Sequence, residues 1–425
     1  MADLEKKQYI KDPRIPCKYG VKCYQKNMVH LSKYKHPPKT NKETPVTQPK
    51  KRIKLDREPT EEVNETGIKG DINTLLEKNK EIRPNILIKN TGIDTSIDSP
   101  NTSSNIDRIS TRTPKNINVR DFIKQKFLVE MPDDFYQFWD FCKGINELHP
   151  EEVLKTLSLI FVGPYDVLAG KFNDVNEKLN EDYLIHWRYY FDPPEFQTVL
   201  KSDIKTGYHI GYFRDSPEEL PIFLASNCAN EDGTFTVMGD NIFAAVNFHL
   251  ENILKTSDPF KKLKLTKFQS MLKQAAEKLN LSLSKNTEKI KRRNNKIVTR
   301  SFNKLGIVVP YNRKTQLGYR ELSLGNMELH KLLNNIQNAL PEQKNKYLSD
   351  LQGVITNANI ATDECDFGTG IHLALSILAH GVDCLDRSIM LLLATNYRLL
   401  KREVFAKIAE AHMSNRKKGT DLSIL

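Results

Sequence analysis

At Val119 the chain changes character, and the main fold has to begin there. From about residue 41 to Asn116 it is rich in Lys, Asn, Thr, Ser, Pro and Glu and has no sustained apolar period. Such a stretch cannot bury enough apolar surface to offset the entropy of ordering it, and it reads as a disordered linker. From Val119 onward, Phe122, Phe127, Met131, Phe135, Phe138, Trp139 and Phe141 recur at helical spacings, with a capping-type Asp after Pro132. Leu154, Leu157, Leu159 and Ile160 predict a second short helix stopped by Gly163-Pro164. Between about residues 183 and 250 the aromatic period becomes two. Trp187, Tyr189 and Phe191, then Tyr208 to Phe213, alternate between Asp192-Pro193-Pro194 and Arg214-Asp-Ser-Pro217, a pattern of antiparallel strands. Leu220 to Leu224 and Phe235 to Met238 predict further short strands, and Asn241 to Leu250 a helix across the sheet. A Lys-rich helix from about Leu263 to Leu281 follows, and the chain is helical again from Asn326. The expected fold is α+β over residues 117–425, a central antiparallel sheet flanked by helices with a helical C-terminal lobe. A chain of 425 residues has room for this body and a tail.

Charge is distributed unevenly. Residues 1–57 hold 16 Lys/Arg against 5 Asp/Glu, whereas residues 58–425 hold 48 of each, so the net charge of +11 sits in the N-terminal arm. A basic arm on a neutral body points to attraction toward a polyanion, and the body gives no such signal of its own. No run of 18 apolar residues exists, and Met1-Ala-Asp-Leu-Glu5 lacks the apolar region of a signal peptide, so a soluble intracellular protein is expected. Six cysteines are too few for a disulfide scaffold at this length.

Cys17, Cys23, His30 and His36 place two thiols and two imidazoles within twenty residues, a donor set for one tetrahedral structural Zn²⁺. Only six residues separate Cys23 from His30, too few for the recognition helix of a DNA-reading finger. The run from Cys17 to Pro37 resembles the poly(ADP-ribose)-binding zinc finger, in residues 1–40. The resemblance implies that Tyr19 and Tyr24 stack on adenine while Lys18, Lys22 and Lys26 meet pyrophosphate charge. Gln25 stands where that family has Arg, and Met28 where it has Pro; loss of the planar fork lowers the affinity expected for the polymer. Pro49-Lys-Lys-Arg-Ile-Lys-Leu-Asp56, in the linker of residues 41–116, has the composition of a nuclear localisation signal.

The most unusual segment of the body is Thr362-Asp-Glu-Cys-Asp-Phe-Gly-Thr-Gly370, three carboxylates within four residues beside two glycines. Spacing alone favours a solvated acidic turn at a helix end. Long stretches change that reading, among them Lys126-Phe-Leu-Val-Glu-Met-Pro-Asp-Asp-Phe135, His186-Trp-Arg-Tyr-Tyr-Phe-Asp-Pro-Pro-Glu195, His209-Ile-Gly-Tyr-Phe-Arg214, Gly318-Tyr-Arg-Glu321 and Asp363-Glu-Cys-Asp-Phe-Gly368. In these, residues 117–416 resemble the histone PARylation factor family. The resemblance implies an accessory factor that completes a composite site with a DNA-damage-activated poly(ADP-ribose) polymerase and directs ADP-ribosylation to serine on histones. Glu364 would be the general base, and Asp363, Tyr319 and Arg320 would contact the polymerase. NAD⁺ would be bound by that partner, since this chain has no phosphate-cradling glycine loop or dinucleotide fingerprint. Without the resemblance, Tyr319 and Arg320 read as a strand-edge aromatic with a surface Arg. Cys365 and Cys384 read as small buried hydrophobes, and His186 and His209 as sheet or core residues. The expected location is the nucleus, on damaged chromosomes. The competing readings are a poly(ADP-ribose)-reading recruitment module with no catalytic role, and weak DNA binding by the basic arm.

Overall fold

Two short strands, β1 (Ile15–Pro16) and β2 (Tyr34–Lys35), pair in parallel, Ile15 opposite Tyr34 and Pro16 opposite Lys35. They belong to the first of two units into which the chain divides, Met1–Thr102 and Ser103–Leu425. The computed structural model describes residues 12–17, 34–37, 118–173, 179–202 and 206–425. Cys23, His30, Tyr19, Tyr24, Lys18, Lys22, Lys26 and the Pro49–Asp56 basic cluster lie outside these.

The second unit opens with α1 (Val119–Phe127) and α2 (Asp133–Ile145). Asn118 caps α1 by accepting from Arg120 N. The acidic pair after Pro132 does not cap its own helix. Asp134 instead accepts from the Tyr212 hydroxyl at 2.7 Å and from Ile242 N at 2.8 Å, so it serves the start of a helix 108 residues on. The predicted helix through Ile160 is replaced by a 3₁₀ turn, Pro150–Leu157, followed by β3 (Leu159–Phe161). Ser158 adopts φ 54°, which ends the turn, and Leu159 to Phe161 then pair with a strand 40 residues away. Gly163-Pro164 begins a helix, α3 (Pro164–Leu168), with Pro at a position that has no intrahelical partner to lose.

After α4 (Asn180–Ile185) come β4 (Phe196–Ser202), β5 (Tyr208–Phe213), β6 (Phe223–Cys228) and β7 (Thr236–Gly239). With β3 they form a five-stranded antiparallel meander in the order β3-β4-β5-β6-β7. Ile210, Tyr212 and Leu224 point into one core with α1, α2 and the next helices, while Phe213, Phe223 and Ala225 point into another, as a period of two requires. A register shift between Thr198 and Leu200 turns both Val199 and Leu200 to the first face. Trp187 to Phe191 are not a strand: Trp187 has φ 55°, and the buried Arg188 donates to the carbonyls of Leu184, Pro193 and Phe196, folding the segment around its own side chain. His186 and His209 are fully buried and bonded to Asp166 and Asp192, and Tyr189 stacks on His209 at 3.8 Å. They pack the core, as expected.

Asn241 caps α5 (Ile242–Thr256), and Asp258 caps α6 (Pro259–Lys278); α7 (Glu288–Asn294) follows. The C-terminal lobe is all helical: α8 (Asn326–Asn338), α9 (Pro341–Asp363), α10 (Phe367–His380), α11 (Asp386–Leu399) and α12 (Glu403–Asn415). α10 lies at its centre, with buried residues on every side, and has its own hydrophobic cluster with α8, α9, α11 and α12. Among the described residues no helix is long and apolar enough to cross a membrane.

Candidate functional site

The acidic segment is the hinge between α9 and α10, and backbone hydrogen bonds fix its shape. Cys365 N donates to Thr362 O at 3.0 Å and Asp366 N to Ala361 O at 2.8 Å, the two bonds of a Schellman turn. That turn needs a left-handed residue, and Cys365 supplies it with φ 66°. The three carboxylates therefore diverge. Asp363 ends α9 and is exposed, Glu364 caps it with a side chain 56% exposed, and Asp366 is buried at the start of α10.

Arg320 ties two of them together. Its Nε donates to Asp366 Oδ2 at 2.6 Å and its Nη2 to Glu364 Oε2. Asp363 and Glu364 sit at the negative end of α9, where a further negative charge is unfavourable by about 0.3–1 kcal/mol, and the guanidinium offsets this. Asp366 also accepts from Gly318 N at 2.8 Å. The main chain of Arg320 is pinned by Thr369, whose hydroxyl accepts from Arg320 N and donates to Arg320 O. Tyr319 is half-buried, its hydroxyl 3.3 Å from His372 Nδ1, and burial pushes its phenol pKa up.

Tyr319 and Arg320 arrive on a loop, not on a strand edge. Asn312 accepts from Lys314 N and Thr315 N to turn the chain, and Gly318 at φ 111° brings it back. A Cβ on Gly318 would collide with Pro310 O, so only glycine fits. Gly368 N then donates to Gly318 O at 2.9 Å, joining the loop to the first turn of α10. Asp366 and Thr369 were missed as site residues because their partners lie 46 to 49 residues away. Cys365 is only partly buried and Cys384 is exposed, so neither is the buried hydrophobe expected of it. Cys365 is held by the turn, and Cys384 lies in a short 3₁₀ turn, Asp383–Leu385.

In the first unit, Cys17 and His36 each directly follow the last paired positions, Pro16 and Lys35, of β1 and β2; Cys17 N donates to Lys35 O at 2.9 Å. Cys17 is 7% exposed although Ile15 and Pro16 before it are exposed. A buried thiol and an imidazole that each follow one strand of such a pair suit the first and last ligands of a zinc site. Among the described residues no group of three or more potential metal ligands occurs.

Residues 118–416 match the family model described as histone PARylation factor 1. The chain belongs to the histone PARylation factor 1 family. A cattle (Bos taurus) protein named histone PARylation factor 1 is 40% identical over 301 residues, covering 70% of this chain and 87% of that protein. The zebrafish (Danio rerio) protein of the same name is 40% identical over 301 residues, covering 70% and 86%. Residues 14–39 match the PBZ domain model of the zf-CCHH family, which suggests a zinc site. The family match spans the whole Arg320–Glu364–Asp366 cluster, and the PBZ match spans Cys17 to His36.

Proposed function

We propose that this chain is an accessory factor of a DNA-damage-activated poly(ADP-ribose) polymerase and lends Glu364 as the general base for ADP-ribosylation of serine on histones and other chromatin proteins. The observation that supports this is the position of Glu364: exposed on a rigid turn, with Arg320 engaging Oε2 and leaving Oε1 for a substrate hydroxyl. Serine is almost wholly protonated at neutral pH and needs such a base, whereas an acidic acceptor is already ionised. The partner binds NAD⁺. As the serine Oγ bonds to the anomeric carbon of the ribose, its proton passes to Glu364 and nicotinamide leaves with the electrons of the C–N bond. Asp363, Tyr319 and Arg320 form the surrounding face that meets the polymerase catalytic domain.

The finger gathers the factor where poly(ADP-ribose) is already made. Cys17, Cys23, His30 and His36 would hold one Zn²⁺, which when bound supplies only a structural tie; Tyr19, Tyr24, Lys18, Lys22 and Lys26 would meet the polymer. The site of action is the nucleus, on damaged chromosomes, with the Pro49–Asp56 cluster as the import signal.

The test is serine-linked ADP-ribose on a histone-tail peptide with purified chain, polymerase, NAD⁺ and nicked DNA. Glu364→Gln is expected to keep polymerase binding and to lose about 10²–10⁴-fold in serine transfer. Serine transfer at the normal rate by Glu364→Gln, with recruitment lost only on deleting residues 1–40, would replace this reading by a poly(ADP-ribose) reader without catalytic role.

A further inference from the structure

The body of this protein is neutral only as a sum. Residues 255–296 hold thirteen Lys/Arg against three Asp/Glu, which leaves the rest of residues 58–425 with 35 against 45. Much of that excess sits on α6. Its inner stripe, Leu265, Phe268, Leu272 and Ala276, is buried, while Lys261, Lys262, Lys264, Lys267, Lys273 and Lys278 are all exposed. No carboxylate of the described residues forms an ion pair with any of the six, and Glu277 is the one acid in the helix. The salt bridges nearby serve other residues: Lys291 pairs with Glu288, and the buried Arg293 with Asp215. Lys261–Lys264 and Lys264–Lys267 are like-charge neighbours at i,i+3 and repel one another. A helix stabilised on one face and self-repelling on the other is relieved by a ligand that brings negative charge.

We propose that the outward face of α6 docks the phosphodiester backbone of double-stranded DNA, independently of Glu364. Length, charge type and composition support this occupant. Twenty residues span about 30 Å, and duplex DNA presents one phosphate per ≈ 1.7 Å of axis, so long, flexible lysines on both flanks of the exposed arc have phosphates within reach along that length. Lysine, a point charge without a required orientation, suits a repeating backbone, whereas protein interfaces are depleted in Lys and built around Arg and aromatics. α6 has no Arg, and beyond its first turn its exposed arc carries no aromatic ring. It therefore lacks both the bidentate base reader and the stacking platform that sequence-specific or single-strand binding uses. Binding is sequence-independent and steeply salt-dependent. Phe260 and Leu263, 87% and 75% exposed at the N-terminal end of the arc, are what an anionic membrane would use instead.

The experiment uses the full-length zinc-loaded chain and a labelled blunt duplex of about 30 base pairs, with anisotropy read between about 50 and 200 mM salt. Replacing Lys262, Lys264, Lys267 and Lys273 by Gln is expected to flatten the slope of log K against log salt by about 3–4, at roughly 0.9 for each phosphate no longer neutralised. The four Lys→Arg changes are expected to keep the slope, and Lys267→Gln alone to remove about one unit. A quadruple Gln variant with unchanged slope and unchanged circular dichroism would assign all DNA binding to the arm of residues 1–57 and overturn the proposal. So would tighter binding to phosphatidylserine vesicles than to DNA, lost in Phe260→Ser/Leu263→Ser.

Discussion

Arg320 is the residue on which the acidic hinge depends, because it is shared between an exposed carboxylate and a buried one. Its pair with Glu364 is solvent-exposed and contributes at most about 1 kcal/mol. Its pair with Asp366 matters more, since removing the guanidinium leaves a buried carboxylate short of a donor, at a cost of about 1–3 kcal/mol. Arg320→Ala is therefore expected to lower the thermal midpoint by a few degrees, to weaken polymerase binding and to abolish serine transfer. Arg320→Lys is expected to restore little, because one ammonium cannot reach two carboxylates in a fork. Calorimetry together with a pull-down checks both; an Arg320→Ala protein with normal melting and normal binding would refute the bracing role. Behind Tyr319, burial lowers the His372 pKa from 6.5 to about 4. Since folding depresses it, the stability linked to His372 is intact above about pH 6.5. It is lost as pH falls towards about 4, where the unfolded chain takes up a proton that the folded chain refuses, amounting to about 3 kcal/mol. Asp134 and Glu195, whose carboxyl pKa values burial raises, act in the opposite sense. The measurement is accordingly a difference: denaturant unfolding of the parent and of His372→Gln from pH 7 to 4, with a shallower loss in the variant.

At the scale of elements, the Schellman turn between α9 and α10 is strained at one place. Cys365 holds φ 66° without being glycine, at a cost of about 1–2 kcal/mol. Cys365→Gly is expected to raise stability by about 0.5–1 kcal/mol, the relief being partly offset by the freer unfolded chain, and to leave serine transfer unchanged. A loss of stability would mean that the Cys365 side chain packs more strongly than its partial burial indicates. The acids of this turn were visible in the sequence, but the burial of Asp366 beside an exposed Glu364 was not, because the turn only separates them and the donors that cover Asp366 come from a loop more than forty residues away. Elsewhere, elements with a local cause were legible: β5 falls on Tyr208–Phe213, and α5 begins right after its Asn241 cap. β3 was not, since Leu154 to Ile160 suits either period, and only pairing with Leu200 to Ser202 decides for a strand. The aromatic alternation from Trp187 to Phe191 failed for a similar reason. That segment is folded by the carbonyl bonds of Arg188 and packs its rings onto the sheet, Tyr189 on His209 and Trp187 under Lys201, without joining it as a strand.

For the whole molecule, averaging hid one feature and the division into units exposes another. Counting charge over residues 58–425 gave zero and concealed the lysine face of α6, whereas counting by element recovers it. The two units are also expected to draw on different sources of stability. The second has extended hydrophobic clusters around its sheet and helical lobe. The described part of the first is two dipeptide strands ending at Cys17 and His36, within the span that matches the PBZ domain model. Apparent zinc binding energies of about 10–16 kcal/mol in finger peptides are folding energies, so withdrawing the ion is expected to unfold the first unit alone. A chelator at neutral pH should then abolish poly(ADP-ribose) binding, while the main calorimetric transition of the second unit moves by less than about one degree. Serine transfer at saturating polymerase should be unchanged as well, because Glu364, Arg320 and Asp366 all lie in the second unit. A chelator that lowered the main transition by several degrees would show instead that zinc supports the second unit, and the proposed separation of recruitment from chemistry would have to be abandoned.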